Sequence, residues 1–265
     1  MELQLQTTKI IAKIEDSIGW LIFNNPARRN AVSLEMWQAI PQVIKTFEEE
    51  TAVRVIVLTG MGPKAFVAGA DISEFDKVRN SPENVAYYSQ QAGLANDALV
   101  NASKPTIAMI RGVCVGGGVG IALQCDMRIA AEDARFAIPA AKLGLGYAHG
   151  GLKQLVDLVG PAYAKEIFYT ARLFSASEAQ QMGLVNRVVQ TAVLDPYVRD
   201  YCQKIAQNAP LTIQSVKKIV DQITAEAPLD AAYCEKLVQD CFDSEDYIEG
   251  RTAFMEKRKP NFKGK

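Results

Sequence analysis

The chain has 265 residues, of which 49% are hydrophobic and 22% charged, with 29 lysines and arginines against 30 aspartates and glutamates. This composition is that of an ordinary globular protein with enough apolar side chains for a large core, which excludes disordered, collagen-like and coiled-coil chains. The net charge of −1 provides no overall field to hold nucleic acid or an anionic membrane.

The chain lacks the sequence signals of a membrane or secreted protein. No apolar run approaches the ~18 residues of a membrane-spanning helix, and the N-terminal MELQLQTTKIIAKIED does not have the basic-then-apolar order of a signal peptide. Five scattered cysteines without a CxxC pair fit free thiols. We therefore expect a cytoplasmic protein, without nucleic-acid or membrane partners. Because the chain has a single histidine, no metal site is predicted.

The first half of the chain alternates between strand and helix patterns. KIIAKIED and IGWLIFNN predict a hairpin that turns at 16–19, and Ser33 is placed to cap an amphipathic helix. Apolar runs of strand length follow at VRVIVLTG, PTIAMIRG and MRIAAED, with a helix from about 82 to 102 and a glycine turn that runs into an apolar helix at GVCVGGGVGIALQCD. This alternation predicts an α/β domain in which helices cover the strands.

The last part of the chain is helical. Apolar periodicity predicts helices over 198–208, 211–226, 229–242 and 244–257. We divide the chain into a core of residues 1–195 and a helical oligomerisation region of residues 196–265. Several amphipathic helices at one end need another surface to cover them, which predicts an oligomer.

Two glycine turns carry the functional hypothesis. GGGVG at 116–120 has neither the Rossmann nor the P-loop spacing, but glycines before a helix leave free N–H groups that suit a developing oxyanion. For a lone GGG, a tight packing turn is the simpler interpretation. AFVAGADI is a second turn of this kind, in which Asp71 can cap a short helix. Two loops that each offer an N–H donor favour an oxyanion hole for a thioester enolate.

Four segments, AFVAGADISEF, SKPTIAMIRGVCVGGGVGIALQCDMRIA, SASEAQQMGLVNRVV and EGRTAFMEKRKPNFK, together resemble the crotonase family, the enoyl-CoA hydratase/isomerase superfamily, over nearly the whole chain. The resemblance implies an α/β fold built as a spiral of ββα units with a C-terminal helical trimerisation region, assembled as a homotrimer or a dimer of trimers. It implies an acyl-CoA thioester as substrate, no tightly bound cofactor, and an oxyanion hole from the backbone N–H groups of Ala70 and Gly117.

The resemblance also indicates where coenzyme A binds. The matching positions are Ala68, Asp71 and Ile72 beside the AGAD turn, with Ala27 and Arg28 from NPARRN, and Phe254 and Lys257 from the tail of a neighbouring subunit. Without the resemblance, KRKPNFKGK is a solvated basic tail. Hydratases of the family often carry a lysine after AGADI, where this chain has Ser73. This difference weakens the inference that the family's contacts to the phosphates of coenzyme A are made here.

The catalytic carboxylates of the family hydratases are missing here. Their two positions hold Gly120 and Ala140, and the position of a third acid or nucleophile used by other members holds Ala148. Glycine and alanine side chains transfer no protons, so we expect decarboxylation or a related lyase or isomerase reaction in preference to hydration. The two alternatives are a non-catalytic acyl-CoA-binding protein and a hydratase with a rearranged acid and base.

Tyr147 and His149, in GLGYAHGG, are the polar candidates for moving a proton. Tyr147 matches a tyrosine of the methylmalonyl-CoA decarboxylases of the family, but the histidine those enzymes place after AG is Ala70 here. Tyr147 could instead line the acyl pocket with its hydroxyl bonded locally, and His149 could be a structural residue. Tyr87 and Tyr88 are candidates for shaping the acyl pocket, although a solvated helix face is the simpler interpretation.

Overall fold

The structure is a computed structural model that covers residues 1–265. Its strands are β1 (Ile10–Glu15), β2 (Ile18–Phe23), β3 (Val55–Gly60), β4 (Ala65–Val67), β5 (Thr106–Ile110), β6 (Val113–Val115), β7 (Met127–Ala131), β8 (Arg135–Ala137), β9 (Phe174–Ser175) and β10 (Arg187–Val189). Its α-helices are α1 (Leu34–Glu49), α2 (Phe75–Val78), α3 (Pro82–Val100), α4 (Gly117–Leu123), α5 (His149–Thr170), α6 (Ala176–Gln181), α7 (Leu194–Ala206), α8 (Pro210–Thr224), α9 (Ala231–Phe242) and α10 (Glu245–Glu256).

From β3 to β8, consecutive strands alternate between two sheets. The larger sheet has the order β1-β2-β3-β5-β7-β10, and the smaller has the order β4-β6-β8-β9. The pairs β3/β4, β5/β6 and β7/β8 each contribute one strand to each sheet and then lead into a helix, so the ββα unit occurs three times in succession. The predicted α/β spiral of ββα units is therefore confirmed.

Helices and strands cover both faces of the larger sheet, which explains its continuous apolar runs. Ile56 and Leu58 of β3 point into the main core, shared with α1. Val55 and Val57 point the other way, into a smaller apolar cluster that Leu194, Val198 and Cys202 of α7 complete. The helix α7 thus belongs to the packing of the core sheet.

The hairpin is confirmed, but its turn is tighter than predicted. Glu15 pairs with Ile18, so only Asp16 and Ser17 form the turn, with φ of 53° and 65°. Positive φ at both central residues gives the twist that matches the two flanking strands. Ser33 is the N-cap residue of α1, as predicted, although its hydroxyl makes no hydrogen bond; its backbone N–H instead lies 3.4 Å from the sulfur of Met36.

The four predicted C-terminal helices correspond to α7, α8, α9 and α10. The basic tail beyond α10 is largely exposed but is tied to the fold, because the buried carboxylate of Asp246 accepts hydrogen bonds from the N–H groups of Lys263 and Gly264. Arg54 donates to the carbonyl of Phe262 at 2.8 Å, which fixes the tail to the core. No helix is both long and apolar enough to span a membrane. The five cysteines are free thiols.

Candidate active site

The two glycine turns lie side by side. β4 and β6, the strands that lead into them, pair in parallel, with Ala65 opposite Val113. A Cβ atom built on Gly117 would lie 3.8 Å from the backbone nitrogen of Ala70, so the two loops are in contact at this point. Gly118 packs even closer, because a Cβ there would lie 2.1 Å from the carbonyl oxygen of Val67. Glycine at position 118 is therefore required for the two loops to approach each other.

The first loop is tied down by backbone hydrogen bonds on both sides of Ala70. The N–H of Val32 donates to the carbonyl of Gly69 at 2.8 Å, and the N–H of Asp71 donates to the carbonyl of Val32 at 2.9 Å. Gly69 has φ of +98°, a conformation that favours glycine. These contacts leave the N–H of Ala70 in a fixed position without a backbone acceptor.

The second loop holds the N–H of Gly117 in the same way. The N–H of Gly116 donates to the carbonyl of Ala137 at 2.8 Å, and α4 begins at Gly117. An N–H at the first position of a helix has no partner inside the helix, and that of Gly117 donates to no other protein acceptor. The structure therefore brings two unpaired N–H groups, from loops that are distant in sequence, to one place.

None of the three positions Gly120, Ala140 and Ala148 provides a carboxylate side chain. Gly120 lies one turn into α4, and a Cβ atom built there meets no atom within 4 Å. Ala140 is 5% exposed and belongs to the core, and Ala148 precedes α5. Beside Gly120, the side-chain amides of Gln124 and Gln154 donate to each other at 2.7 and 2.8 Å.

The aromatic ring of Tyr147 is anchored while its hydroxyl has no partner. The ring meets Phe168 edge to face, with the ring centroids 4.8 Å apart, and packs over Gly151 of α5. The expected local hydrogen bond of the hydroxyl is absent. Although Tyr147 is 37% exposed, its partial burial raises its pKa, and the phenol is protonated and able to donate at neutral pH.

His149 occupies a different environment from Tyr147. It is the first residue of α5, and its side chain is 81% exposed. Its Nε2 atom lies 3.9 Å from a carboxylate oxygen of Glu226, just after α8. The polar contact of His149 is thus to the helical end of the chain, whereas Tyr147 packs against α5 itself.

The residues assigned to coenzyme A fall into two groups, and the first is assembled within one chain. The N–H of Ala68 donates to the carbonyl of Arg29, beside the exposed Ala27 and Arg28. Asp71 accepts hydrogen bonds from the N–H and hydroxyl of Ser73, as predicted for a cap, and from the side chain of Asn25 at 3.2 Å.

Burial alone would raise the pKa of Asp71, but the hydrogen bonds from Ser73 and Asn25 outweigh it and hold the pKa below its ordinary value. Ile72, which follows, is 72% exposed. The NPARRN turn and the AGAD turn thus form one surface. The role of Asn25 was missed, although it is the first residue of the quoted NPARRN segment.

The second group, Phe254 and Lys257, lies at the far end of the chain. Phe254 is 82% exposed on α10, and Lys257 ends this helix with φ of +54°. No hydrogen bond or ion pair connects α10 to the AGAD turn within the chain. Phe254 instead lines an apolar groove of about 810 Å³ between α8 and α10. A cavity of about 950 Å³ between α4, α5 and α8 contains none of the predicted site residues.

Tyr88 differs from its expected solvated position. It is 3% exposed, and its hydroxyl accepts a hydrogen bond from the indole N–H of Trp37 at 2.9 Å. Tyr87, one residue earlier, is 46% exposed and accepts a bond from Gln38. The apolar spacing of α3 is weak, so the sequence did not show which of the two tyrosines faces the core.

Comparison with known proteins gives one consistent result. The sequence profile of the family described as enoyl-CoA hydratase/isomerase matches residues 13–265. The short-chain-enoyl-CoA hydratase of Clostridium acetobutylicum is 34% identical over 260 residues, which cover 96% of this chain and 97% of that protein. The carnitinyl-CoA dehydratase of Escherichia coli K12 is 35% identical over 244 residues, 90% of this chain and 92% of that protein. The crystal structure of an enoyl-CoA hydratase/carnitine racemase from Magnetospirillum magneticum superposes with a TM-score of 0.93 at 35% identity, covering 98% and 97% of the two chains.

Proposed function

Because the chain belongs to the enoyl-CoA hydratase/isomerase family, we propose that it is an enzyme acting on an acyl-CoA thioester through an enolate. The N–H groups of Ala70 and Gly117 hold the thioester oxygen as it gains negative charge. The single observation that carries this proposal is the contact between two loops that each carry an unpaired backbone N–H, with the nitrogen of Ala70 3.8 Å from a Cβ atom built on Gly117. Preorganised donors of this kind stabilise developing charge.

The reaction we favour is decarboxylation, or a related lyase or isomerase reaction that forms the same enolate. In decarboxylation the bond between the α-carbon and the carboxylate breaks, carbon dioxide leaves, and the electron pair stays as the enolate. A proton then returns to the α-carbon, and no base is needed to begin. This chemistry suits a site in which Gly120 and Ala140 provide no carboxylate.

Tyr147 is the proton donor in this proposal. Its hydroxyl has no protein acceptor, its ring is fixed against Phe168, and its raised pKa keeps the proton on the oxygen. His149 is the alternative donor, since it lies two residues further along at the start of α5, but its Nε2 atom lies 3.9 Å from the carboxylate of Glu226.

Hydration is the second candidate. The relatives from Clostridium acetobutylicum and Syntrophomonas wolfei are both named as hydratases, at 34% and 36% identity. In this chain hydration requires an acid and a base from positions other than Gly120 and Ala140. A third possibility, an acyl-CoA-binding protein without catalysis, keeps both N–H donors but leaves Tyr147 without a chemical role.

For coenzyme A, we propose that the surface of Ala27, Arg28, Ala68, Asp71 and Ile72 holds the adenine and pantetheine parts. Phe254 and Lys257 close over the nucleotide of a neighbouring subunit in a homotrimer or dimer of trimers. The exposed apolar groove beside Phe254 supports this assembly, because an unpaired protein rarely exposes such a surface.

The test is mass spectrometry of the purified protein incubated in D₂O with saturated, α,β-unsaturated and malonyl-type acyl-CoA thioesters. Loss of carbon dioxide, or deuterium at the α-carbon, supports the enolate chemistry. Addition of water to an enoyl thioester would establish the second candidate instead. Binding without any turnover would favour the non-catalytic alternative.

A further inference from the structure

Arg79, at the end of α2, has its guanidinium group held between two aromatic rings. Its Cζ atom lies 4.3 Å from the ring centroid of Phe75 and 4.0 Å from that of Tyr88. The two rings are themselves in edge-to-face contact, with centroids 6.3 Å apart. Stacking on aromatic faces fixes the plane of a guanidinium group and leaves its N–H edge available for hydrogen bonds.

This guanidinium group has no carboxylate partner within the protein, and its polar neighbour is the hydroxyl of Tyr88. Arg79 takes part in no ion pair, and its Nε atom is buried without a hydrogen-bond partner. The carboxylate of Glu74, on the preceding turn, is already bound by Lys9 at 3.0 Å and by the N–H of Leu34 at 3.3 Å. Arginine is always charged and carries five N–H donors, so a fixed guanidinium group without an anionic partner is unusual.

The position of Arg79 connects it with the candidate active site. The hydroxyl of Tyr88, on which Arg79 stacks, donates to the carbonyl of Val32 at 3.5 Å. That same carbonyl accepts the N–H of Asp71, and Val32 forms a parallel bridge with Ala70. One aromatic side chain therefore separates Arg79 from the loop that carries the first N–H donor.

We propose that Arg79 binds a carboxylate at the far end of the acyl group, distinct from any carboxylate that leaves as carbon dioxide, so that the substrate is a carboxyl-bearing acyl-CoA. The inference deepens the proposed function and rests on it. The planar N–H edge of arginine matches a carboxylate in two parallel hydrogen bonds, and charge-assisted bonds of this kind are the strong ones. A phosphate of coenzyme A offers the same anionic oxygens, and the experiment separates the two sources.

The experiment measures the affinity of the full-length protein for matched thioesters by isothermal titration calorimetry. Succinyl-CoA and glutaryl-CoA carry a carboxylate, and butyryl-CoA and valeryl-CoA are their uncharged counterparts. We expect the wild type to bind the carboxylate members roughly 10- to 100-fold more tightly, the range of one charge-assisted pair. Arg79→Gln abolishes this preference and changes the affinity for the uncharged members less than about twofold.

Two further variants keep the result interpretable. Arg79→Lys retains a charge without the planar edge and keeps only part of the preference. Lys77→Gln removes an exposed cation from the same short helix and leaves the preference intact. A loss of affinity by Arg79→Gln that is equal for all four thioesters would overturn the inference in favour of a phosphate contact. A wild type that binds all four equally would also overturn it while leaving the proposed function standing, whereas a wild type that binds none would refute both.

Discussion

Replacing Gly117 by proline tests the oxyanion proposal with little disturbance of the fold. Proline lacks the N–H, and its fixed φ suits the first position of a helix, where no internal hydrogen bond is lost. Gly117 is the first residue of α4. The hydrogen bond at the start of this helix runs from the N–H of Gly120 to the carbonyl of Gly116 at 3.1 Å, so the nitrogen of Gly117 takes no part in it. A side-chain carbon fits there, since its nearest neighbours lie at 3.8 Å.

The expected effect follows from losing one of two donors. Removal of a single oxyanion donor costs about 10²- to 10³-fold in turnover, or about 2.7–4 kcal/mol. The assay is the rate of α-carbon deuteration, or of carbon dioxide release, on whichever thioester the wild type converts. Gly117→Ala is the matched control, because it adds a carbon atom at the same place and keeps the N–H.

Thermal unfolding of both variants shows whether the fold has survived. If Gly117→Pro turns over every thioester as fast as Gly117→Ala, the N–H of Gly117 does not hold the oxyanion. The proposal would then be refuted, because the remaining donor from Ala70 would account for the whole activity.

Three more predictions concern packing, proton transfer and charge. Gly118→Ala lowers the free energy of unfolding in urea by about 1–3 kcal/mol, because its Cβ would lie 2.1 Å from the carbonyl of Val67, whereas Gly120→Ala, with open space, does not destabilise. Tyr147→Phe slows deuteration of the α-carbon by about 10²-fold or more while thioester affinity is retained. Because the pKa of Asp71 is lowered in the folded protein, its ionised carboxylate stabilises the fold above pH 3.8, the ordinary pKa of this group, and this stability is lost as the pH falls through the folded-state pKa. The melting temperature of Asp71→Asn therefore lies below that of the wild type at pH 6 and approaches it near pH 2.

Each of these has a contrary outcome. Equal unfolding free energies for the alanine variants at 118 and 120 would contradict the close approach of the two loops. An unchanged deuteration rate in Tyr147→Phe would assign the proton to His149 or to solvent. A melting-temperature difference for Asp71→Asn that does not change with pH would mean that the ionised carboxylate has no role in stability.

The elements that could be predicted are those that depend on local pattern. β3 and β5 are covered on both faces, so their sequences are continuous apolar runs that predict buried strands. The C-terminal helices have strong apolar periodicity. The two glycine turns were also recognisable, since their residues are needed for backbone approach. The helix α5 was not predicted, because Gly160, with φ of +77°, and Pro161 interrupt its pattern.

The contacts that could not be predicted join residues far apart in the chain. Asn25 donates a hydrogen bond to Asp71, 46 residues further along the chain, and the sequence of neither segment indicates this contact. Arg79 is one of many arginines in the sequence, and its stacking between Phe75 and Tyr88 depends on how α2 folds back onto α3. The ββα unit repeats in topology without a repeat in sequence, so no internal similarity revealed it.

Two of the three glycines of α4, Gly118 and Gly120, place different constraints on how this protein can evolve. Gly118 tolerates no side chain, so the spacing of the two loops is preserved under selection for folding alone. Gly120 borders open space, so its replacement by a larger residue meets no steric barrier at the β-carbon. A lineage with this backbone can therefore gain or lose an acidic group at position 120 by point mutation. The chemistry of the site can diverge quickly, while the framework that presents the thioester to it changes slowly.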